Sequence, residues 1–217
     1  MLENKQMRRL SKVKIKWSPN FAYAIGLIAT DGNLSKDGRH INFTSKDKEL
    51  ADLFKVCLKI DNKIGTKARG GSKEKKYFVV QFGDINFYNF LNGLGLTRAK
   101  SKIIKDLKIP DLYFVDFFRG CVDGDGSITS GNHPESRHPQ LRLKLYSASP
   151  EFLAWIKNMV KINFHIHRGW MTHSSNNRCF ELNYGKEDAK KIFDFIYYSG
   201  AVCLLRKYKK AKVFMGE

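Results

Sequence analysis

The chain has 217 residues, of which 39 are Lys or Arg and 21 Asp or Glu, for a formal net charge of +18. With 42% hydrophobic and 13% aromatic residues it is no disordered polyelectrolyte, so the excess charge must sit on a folded surface that attracts a polyanion, nucleic acid before any other. No apolar run reaches the roughly 18 residues that span a bilayer, and Cys57, Cys121, Cys179 and Cys203 are too scattered for a zinc or disulfide framework, which leaves a soluble protein of a reducing compartment as the expectation.

In chain order, Met1–Lys16 is basic, without a long apolar stretch, and reads as a flexible tail that touches nucleic acid rather than a transit peptide. Ser18-Pro19 starts a helix that stays apolar as far as Asp31-Gly32. Asn33–Lys36 and His40–Ser45 flank Asp37-Gly38, which predicts a hairpin with a two-residue turn. Asp47 then precedes an amphipathic helix over Glu49–Leu58, and strands near Ile64–Arg69 and Tyr77–Phe82 lead to a closing helix. At Ile109-Pro110-Asp111 the series starts again. It runs through a helix to Asp125-Gly126, a longer turn at Ser130–His138, a helix over Glu151–Val160 opened by Ser149-Pro150, strands near Ile166–Met171 and Cys179–Tyr184, and a second closing helix.

The recurrence is an internal repeat in register. Phe43-Thr44-Ser45-Lys46-Asp47 returns as Leu145-Tyr146-Ser147-Ala148-Ser149, and Phe78–Gly83 returns as Phe180–Gly185, both displaced by 102 residues. Ala24–Gly32 pairs with Phe118–Gly126 at a displacement of 94, so the extra length falls in the Ser130–His138 turn. A basic segment 1–17 therefore precedes two α-β-β-α-β-β-α units, 18–108 and 109–217, and the fold class is α+β.

Asp31 and Asp125 close equivalent helices. A carboxylate is disfavoured at the partly negative C-terminus of a helix, so a compensating cation is expected there, and oxygen ligands suit Mg²⁺. Gly32 and Gly126 read as left-handed caps. Gly26 with Thr30, and Gly120 with Gly124, put small residues on one face of each helix, so the two helices can pack closely and set Asp31 beside Asp125. Asp123 has Ala29 as its counterpart and reads as structural. His165, His167 and His173 suit phosphate or base contact better than zinc.

The nonapeptides Ala24–Gly32 and Phe118–Gly126 resemble the LAGLIDADG motif. Together with the repeat, with Ser45-Lys46-Asp47 and Ser147-Ala148-Ser149 before the second helices, and with Lys100-Ser101 and Arg206-Lys207-Tyr208 near the unit ends, they make the chain resemble a single-chain LAGLIDADG homing endonuclease. The resemblance implies a saddle of two antiparallel sheets with the motif helices packed at its centre. It implies a monomer that binds one asymmetric duplex DNA site and makes a staggered double-strand cut by hydrolysis. Asp31 and Asp125 would hold Mg²⁺, with the main-chain oxygens of Thr30 and Gly124 as further ligands. Mn²⁺ would substitute, and Ca²⁺ would support binding without cleavage. Lys100 and Lys207 would place cations at the reaction centre. An intracellular location follows, in the cytoplasm or nucleoid of a prokaryote or in an organelle matrix. A family member that only binds DNA, or a cofactor of intron splicing that binds RNA, is the competing expectation.

Period two divides the strands into a core face and a polar face. In the first unit Asn33, Ser35, Lys36, Arg39, His40, Asn42, Thr44, Ser45 and Gln81 are the expected DNA contacts, joined by Lys67, Arg69, Lys73, Lys75 and Lys76 along the second hairpin. In the second unit they are Thr129, Gln140, Arg142, Lys144, Tyr146, Ser147, Arg168 and Arg178, with helix-initiating turns an equal alternative role for Ser45 and Ser147. Amide and guanidinium groups are the side chains that read adenine and guanine edges in the major groove. Two such sheets and a centre span about 20 base pairs.

Overall fold

The computed structural model describes residues 11–68, 74, 76–131, 140–174 and 179–215. The first half runs α1 (Pro19–Asp31), β1 (Gly32–Leu34), β2 (His40–Ser45), α2 (Lys48–Leu58), β3 (Ile64–Lys67), β4 (Tyr77–Gly83), α3 (Ile85–Leu94) and a 3-10 turn at Lys100–Lys102. After a 3-10 turn at Asp111–Tyr113, the second half runs α4 (Phe114–Asp125), β5 (Gly126–Gly131), β6 (Gln140–Ser147), α5 (Pro150–Phe164), β7 (Trp170–His173), β8 (Phe180–Tyr184), α6 (Lys186–Ile196) and α7 (Leu205–Lys212). The repeated order is the one the sequence predicts, with α7 added at the end.

Each half builds a four-stranded antiparallel sheet of the same topology, β1-β2-β4-β3 and β5-β6-β8-β7. Ile41, Phe43, Val80 and Phe82 in one sheet, and Leu141, Leu143, Leu145 and Leu182 in the other, are buried against the helices, so each sheet keeps its opposite face for polar groups. One continuous hydrophobic core joins the halves. It is centred on α1 and α4, whose backbones meet where both lack side chains: a β-carbon built on Gly26 would lie 2.1 Å from the Phe117 carbonyl oxygen, and one on Gly120 would lie 2.2 Å from that of Tyr23. The small-residue faces do pack together.

Several sequence expectations need correction. Gly32 (φ −85°, ψ 154°) and Gly126 (φ −81°, ψ 157°) are extended, not left-handed. They are the first strand residues, and space is what they provide, since a β-carbon would sit 2.6 Å from the Ile28 oxygen in one and 2.4 Å from the Val122 oxygen in the other. The first hairpin turns over Lys36–Arg39 rather than two residues, because the Ser35 N–H donates to the His40 carbonyl at 2.9 Å, with Gly38 at φ +73°. Pro110 leads into the 3-10 turn, and α4 begins only at Phe114. The Ile166–Met171 strand is shorter and later, and His165 closes α5 at φ 54°. Residues 12–17 are no loose tail. The Lys12 and Val13 N–H groups donate to Asp84 Oδ2 at 2.7 and 2.8 Å, and Trp17 stacks on Tyr113 with ring centroids 5.7 Å apart. Residues 1–10 of the expected tail lie outside the described residues.

Candidate active centre and nucleic-acid interface

Asp31 and Asp125 are the last residues of α1 and α4, at the end of the packed helix pair where the polar faces of both sheets begin. Their approach follows from Gly124, whose β-carbon would lie 2.1 Å from Thr30 Oγ1 and 3.4 Å from Asp31 Oδ2. The carboxylate of one half thus sits against the residue preceding that of the other. Asp31 is half-buried and Asp125 exposed.

Two lysines, 4% and 3% exposed, enter this centre from below. Lys100, carried by the 3-10 turn, donates Nζ to the Gly32 carbonyl at 2.6 Å. Lys207, carried by α7, donates Nζ to the carbonyls of Val122, Asp123 and Gly124 at 2.7, 2.8 and 3.3 Å. Each ammonium therefore caps the negative end of a motif helix, and part of the compensating cation expected there comes from the chain itself. Burial lowers both lysines to about 8, against the attraction of Asp125 and Asp31 for Lys100 and of Asp123, then Asp125 and Asp31, for Lys207. Both stay largely charged at neutral pH. The Gly124 carbonyl, expected beside a metal, already accepts from Lys207.

Asp123 is fully buried. Its carboxylate accepts from Tyr23 Oη at 2.9 Å, Tyr197 Oη at 3.3 Å and the Leu204 N–H at 2.7 Å, so it bonds α1, α6 and the segment entering α7 to α4. Burial pushes its carboxyl up to about 6 against those bonds. Arg119, also fully buried, holds the same segment by donating to Val202 O at 2.8 Å, Ile196 O at 2.9 Å and Asp116 Oδ1 at 2.6 Å. These two residues place the helix that delivers Lys207.

On the first sheet Asn33, Asn42 and Gln81 share one cross-strand row, and Thr44 lies in the next. Asn33, Lys36, Arg39, Gln81, Lys67 and Lys76 are exposed, and Ser35, Asn42 and Thr44 half-buried. His40 is engaged locally: its Nδ1 pairs with Asp37, which also accepts from the Arg39 and His40 N–H groups and is held below the usual carboxylate range, foremost by the His40 side chain. Ser45 takes the helix-turn role of its two expected roles. It is 7% exposed on the core side, and its hydroxyl accepts the Asp47 N–H at 3.1 Å in the turn that opens α2. Ser147 does the same for Ser149 at 3.1 Å.

On the second sheet Thr129 faces Arg142, both exposed, with Gln140 beyond them. Lys144 is less available than its alternation suggests, because it pairs with Glu181 Oε2 at 2.8 Å. Register puts Asn183 and Trp170 in the row of Lys144, and Glu181 and Thr172 in the row of Tyr146, so these four belong to the polar face although sequence reasoning passed them over. The alternation Phe180-Glu-Leu-Asn-Tyr was the available signal. Arg168 is exposed in the connection after α5 rather than on a strand. Arg69, Lys73, Lys75 and Arg178 lie outside the described residues.

Among the described residues there is no group of three or more His, Cys, Asp or Glu that could hold a metal. A pair of carboxylates presenting hard oxygens at an open centre fits a cation such as Mg²⁺, which keeps water and phosphate oxygens as its other ligands. No helix among the described residues is long and apolar enough to cross a membrane.

Residues 18–95 match the family described as the LAGLIDADG-like domain. No curated protein matches the chain. Among solved structures, it is similar to the homing endonuclease I-WcaI bound to its DNA recognition sequence, with TM-score 0.66, 12% identity, and 96% of this chain and 92% of that one covered. It is also similar to a variant of I-DmoI in complex with its target DNA in the presence of 2 mM Mg, with TM-score 0.53, 17% identity, and 83% and 97% covered. Full-length DUF199/WhiA from Thermatoga maritima aligns with TM-score 0.56 and 19% identity over 94% of this chain, which spans 64% of that protein. Residues 18–95 thus resemble a LAGLIDADG-like domain, and the chain has the two-sheet saddle fold seen in LAGLIDADG homing endonucleases.

Proposed function

We propose that this chain is a site-specific DNA endonuclease that binds duplex DNA across its two sheets and cuts both strands near the ends of α1 and α4. The observation that carries this reading is the convergence of Asp31 and Asp125 with the buried Lys100 and Lys207, because cleavage of two phosphodiesters calls for anionic ligands and cations at one point of a surface that otherwise reads DNA. A divalent cation held by Asp31 and Asp125 supplies Lewis acidity and lowers the pKa of water. The protein does the rest by position. The sheets hold the duplex, the motif helices fix the carboxylates, and the two ammonium groups place positive charge where phosphate charge grows. Mg²⁺ is the expected cation, with Mn²⁺ able to replace it and Ca²⁺ supporting binding alone. One chain per asymmetric site is expected, since both carboxylates belong to one chain.

Incubation of the protein with a randomised duplex library and Mg²⁺, followed by sequencing of cut ends, tests the reading. Recovery of one long site of about 20 base pairs is expected. A second reading, binding without cleavage, is favoured by the bonds that both lysines make to main-chain carbonyls, which would suit purely structural caps. Duplexes retained by the protein but never cut would establish it.

Base reading and phosphate holding should separate by mutation. Arg142→Ala is expected to cost roughly 1–3 kcal/mol on the preferred site and to relax discrimination at a few adjacent base pairs. If about 8 phosphates are neutralised, log K should fall with log[salt] at a slope of about −7, and Lys67→Ala should reduce that slope by about one while leaving base preference intact. Titrations of preferred and scrambled duplexes at several salt concentrations check both.

A further inference from the structure

The Ser-x-Asp and Ser-x-Ser sequences before α2 and α5 end on Asp47 and Ser149, which hold the same place in the two halves. Ser149 caps α5 by accepting the Phe152 N–H at 3.3 Å, whereas the Asp47 side chain makes no such bond to α2. Both side chains reach into the opposite half, Ser149 in addition to its cap. Asp47 accepts from Arg206 Nε at 3.0 Å and Nη2 at 2.7 Å, a two-pronged ion pair with the residue next to Lys207. Ser149 Oγ donates to the Ile104 carbonyl at 2.5 Å, and the Ile104 N–H in turn donates to the Lys100 carbonyl at 2.8 Å. The same position of the repeat thus grips the lysine-bearing segment of the other half, in both directions.

The Asp47 grip acts where α7 is least able to hold itself. An eight-residue helix is too short to persist without tertiary ties, and the first N–H groups of a helix have no partner within it. Here the Leu204 N–H goes to Asp123 at 2.7 Å and the Leu205 N–H to Glu49 Oε1 at 3.0 Å, while Arg206 goes to Asp47. Two of these three acids come from the first half. A guanidinium held on both prongs by a carboxylate fixes direction as well as distance, which a lysine in its place would not. The four-carbon stem of Lys207 keeps its bonds to the end of α4 only while the first turn of α7 stays where those acids put it.

We infer that Asp47 and Ser149 are positioning residues acting across the two halves: Asp47, through Arg206, sets Lys207 at the centre, and Ser149, through Ile104, sets Lys100. The placement of the lysines stands on geometry alone, while its consequence for cutting rests on the nuclease reading above. Each half then supplies a carboxylate of its own and controls the cation of its partner, so each cut depends on both halves.

Lysine labelling of the free, full-length protein with an amine-reactive reagent, read peptide by peptide by mass spectrometry, tests placement without any DNA. Asp47→Ala should speed labelling of Lys207 roughly tenfold and leave Lys100 unchanged, since only the local opening of α7 becomes easier. Arg206→Ala should match it, the double variant should add nothing, and Arg206→Lys should fall between. Ser149→Ala should expose Lys100 and spare Lys207. Asp47→Asn, close in shape to the native residue, serves if Asp47→Ala unfolds. Unchanged Lys207 labelling, or an equal rise at both lysines, would overturn the inference. On the duplex recovered from the library, Asp47→Ala should accumulate a product nicked in one strand, the strand that Lys207→Met also spares. A selective rise in Lys207 labelling with Lys207→Met cutting both strands at full rate would uphold the positioning and remove Lys207 from the nuclease reading.

Discussion

Asp31→Asn or Asp125→Asn is expected to lower double-strand cleavage by roughly 10³-fold or more while leaving specific DNA binding in Ca²⁺ close to that of the native protein. The two acids stand at the junction of helix end and strand start, and Asp31 lies against Gly124 of the other half, the residue before Asp125. Folding stability gives the second readout. A carboxylate at a helix C-terminus opposes the helix dipole but attracts the buried ammonium groups of Lys100 and Lys207, so neutralising it should change stability by no more than about 1 kcal/mol in either direction. A structural role would lower stability by more than that. Cleavage at the native rate by either variant would remove that residue from the centre.

Gly26→Ala is the substitution expected to cost most in stability, about 3 kcal/mol, at the upper end of what overpacking exacts. Its new methyl would lie 2.1 Å from the Phe117 carbonyl oxygen and 3.0 Å from the Cys121 nitrogen, so α1 and α4 must move apart along their whole contact. Gly93→Ala supplies the internal control. Gly93 lies within α3 with nothing within 4 Å of the added carbon, so the same change should stabilise by roughly 0.5–1 kcal/mol through helix propensity. Urea midpoints of opposite sign are the expected pair of results. Two losses of equal size would show that the helix contact tolerates a wider spacing than its geometry implies.

The elements were legible in the sequence where one physical signal dominates. Period two separated Ile41 and Phe43 from Asn42 and Thr44, and the repeat doubled the weight of each weak motif, which is why Asp31 and Asp125 stand out among the four Asp-Gly pairs. Failures came where a residue serves two demands. Gly32 and Gly126 are glycines at helix ends, the usual sign of a left-handed cap, yet clearance from the preceding turn is what requires them. Asp47 has the residue type of a cap and is drawn away by a guanidinium 159 positions along the chain, a partner that no local pattern announces. The Lys144–Glu181 pair, the pinning of Lys12 and Val13 by Asp84, and α7 itself depend likewise on contacts between distant segments.

The passage from helix to strand at Asp31-Gly32 and Asp125-Gly126 takes no connecting residue: the last residue of each helix is followed directly by the first residue of the sheet. A carboxylate therefore cannot slide relative to the side chains on the polar face of the sheet. On the nuclease reading the molecule behaves as a rigid gauge, with the scissile bonds at a set phase from the bases read on either flank. An inserted base pair between the two flanks would then be poorly absorbed by the protein, and the twist and bend of the central DNA would have to make up the difference.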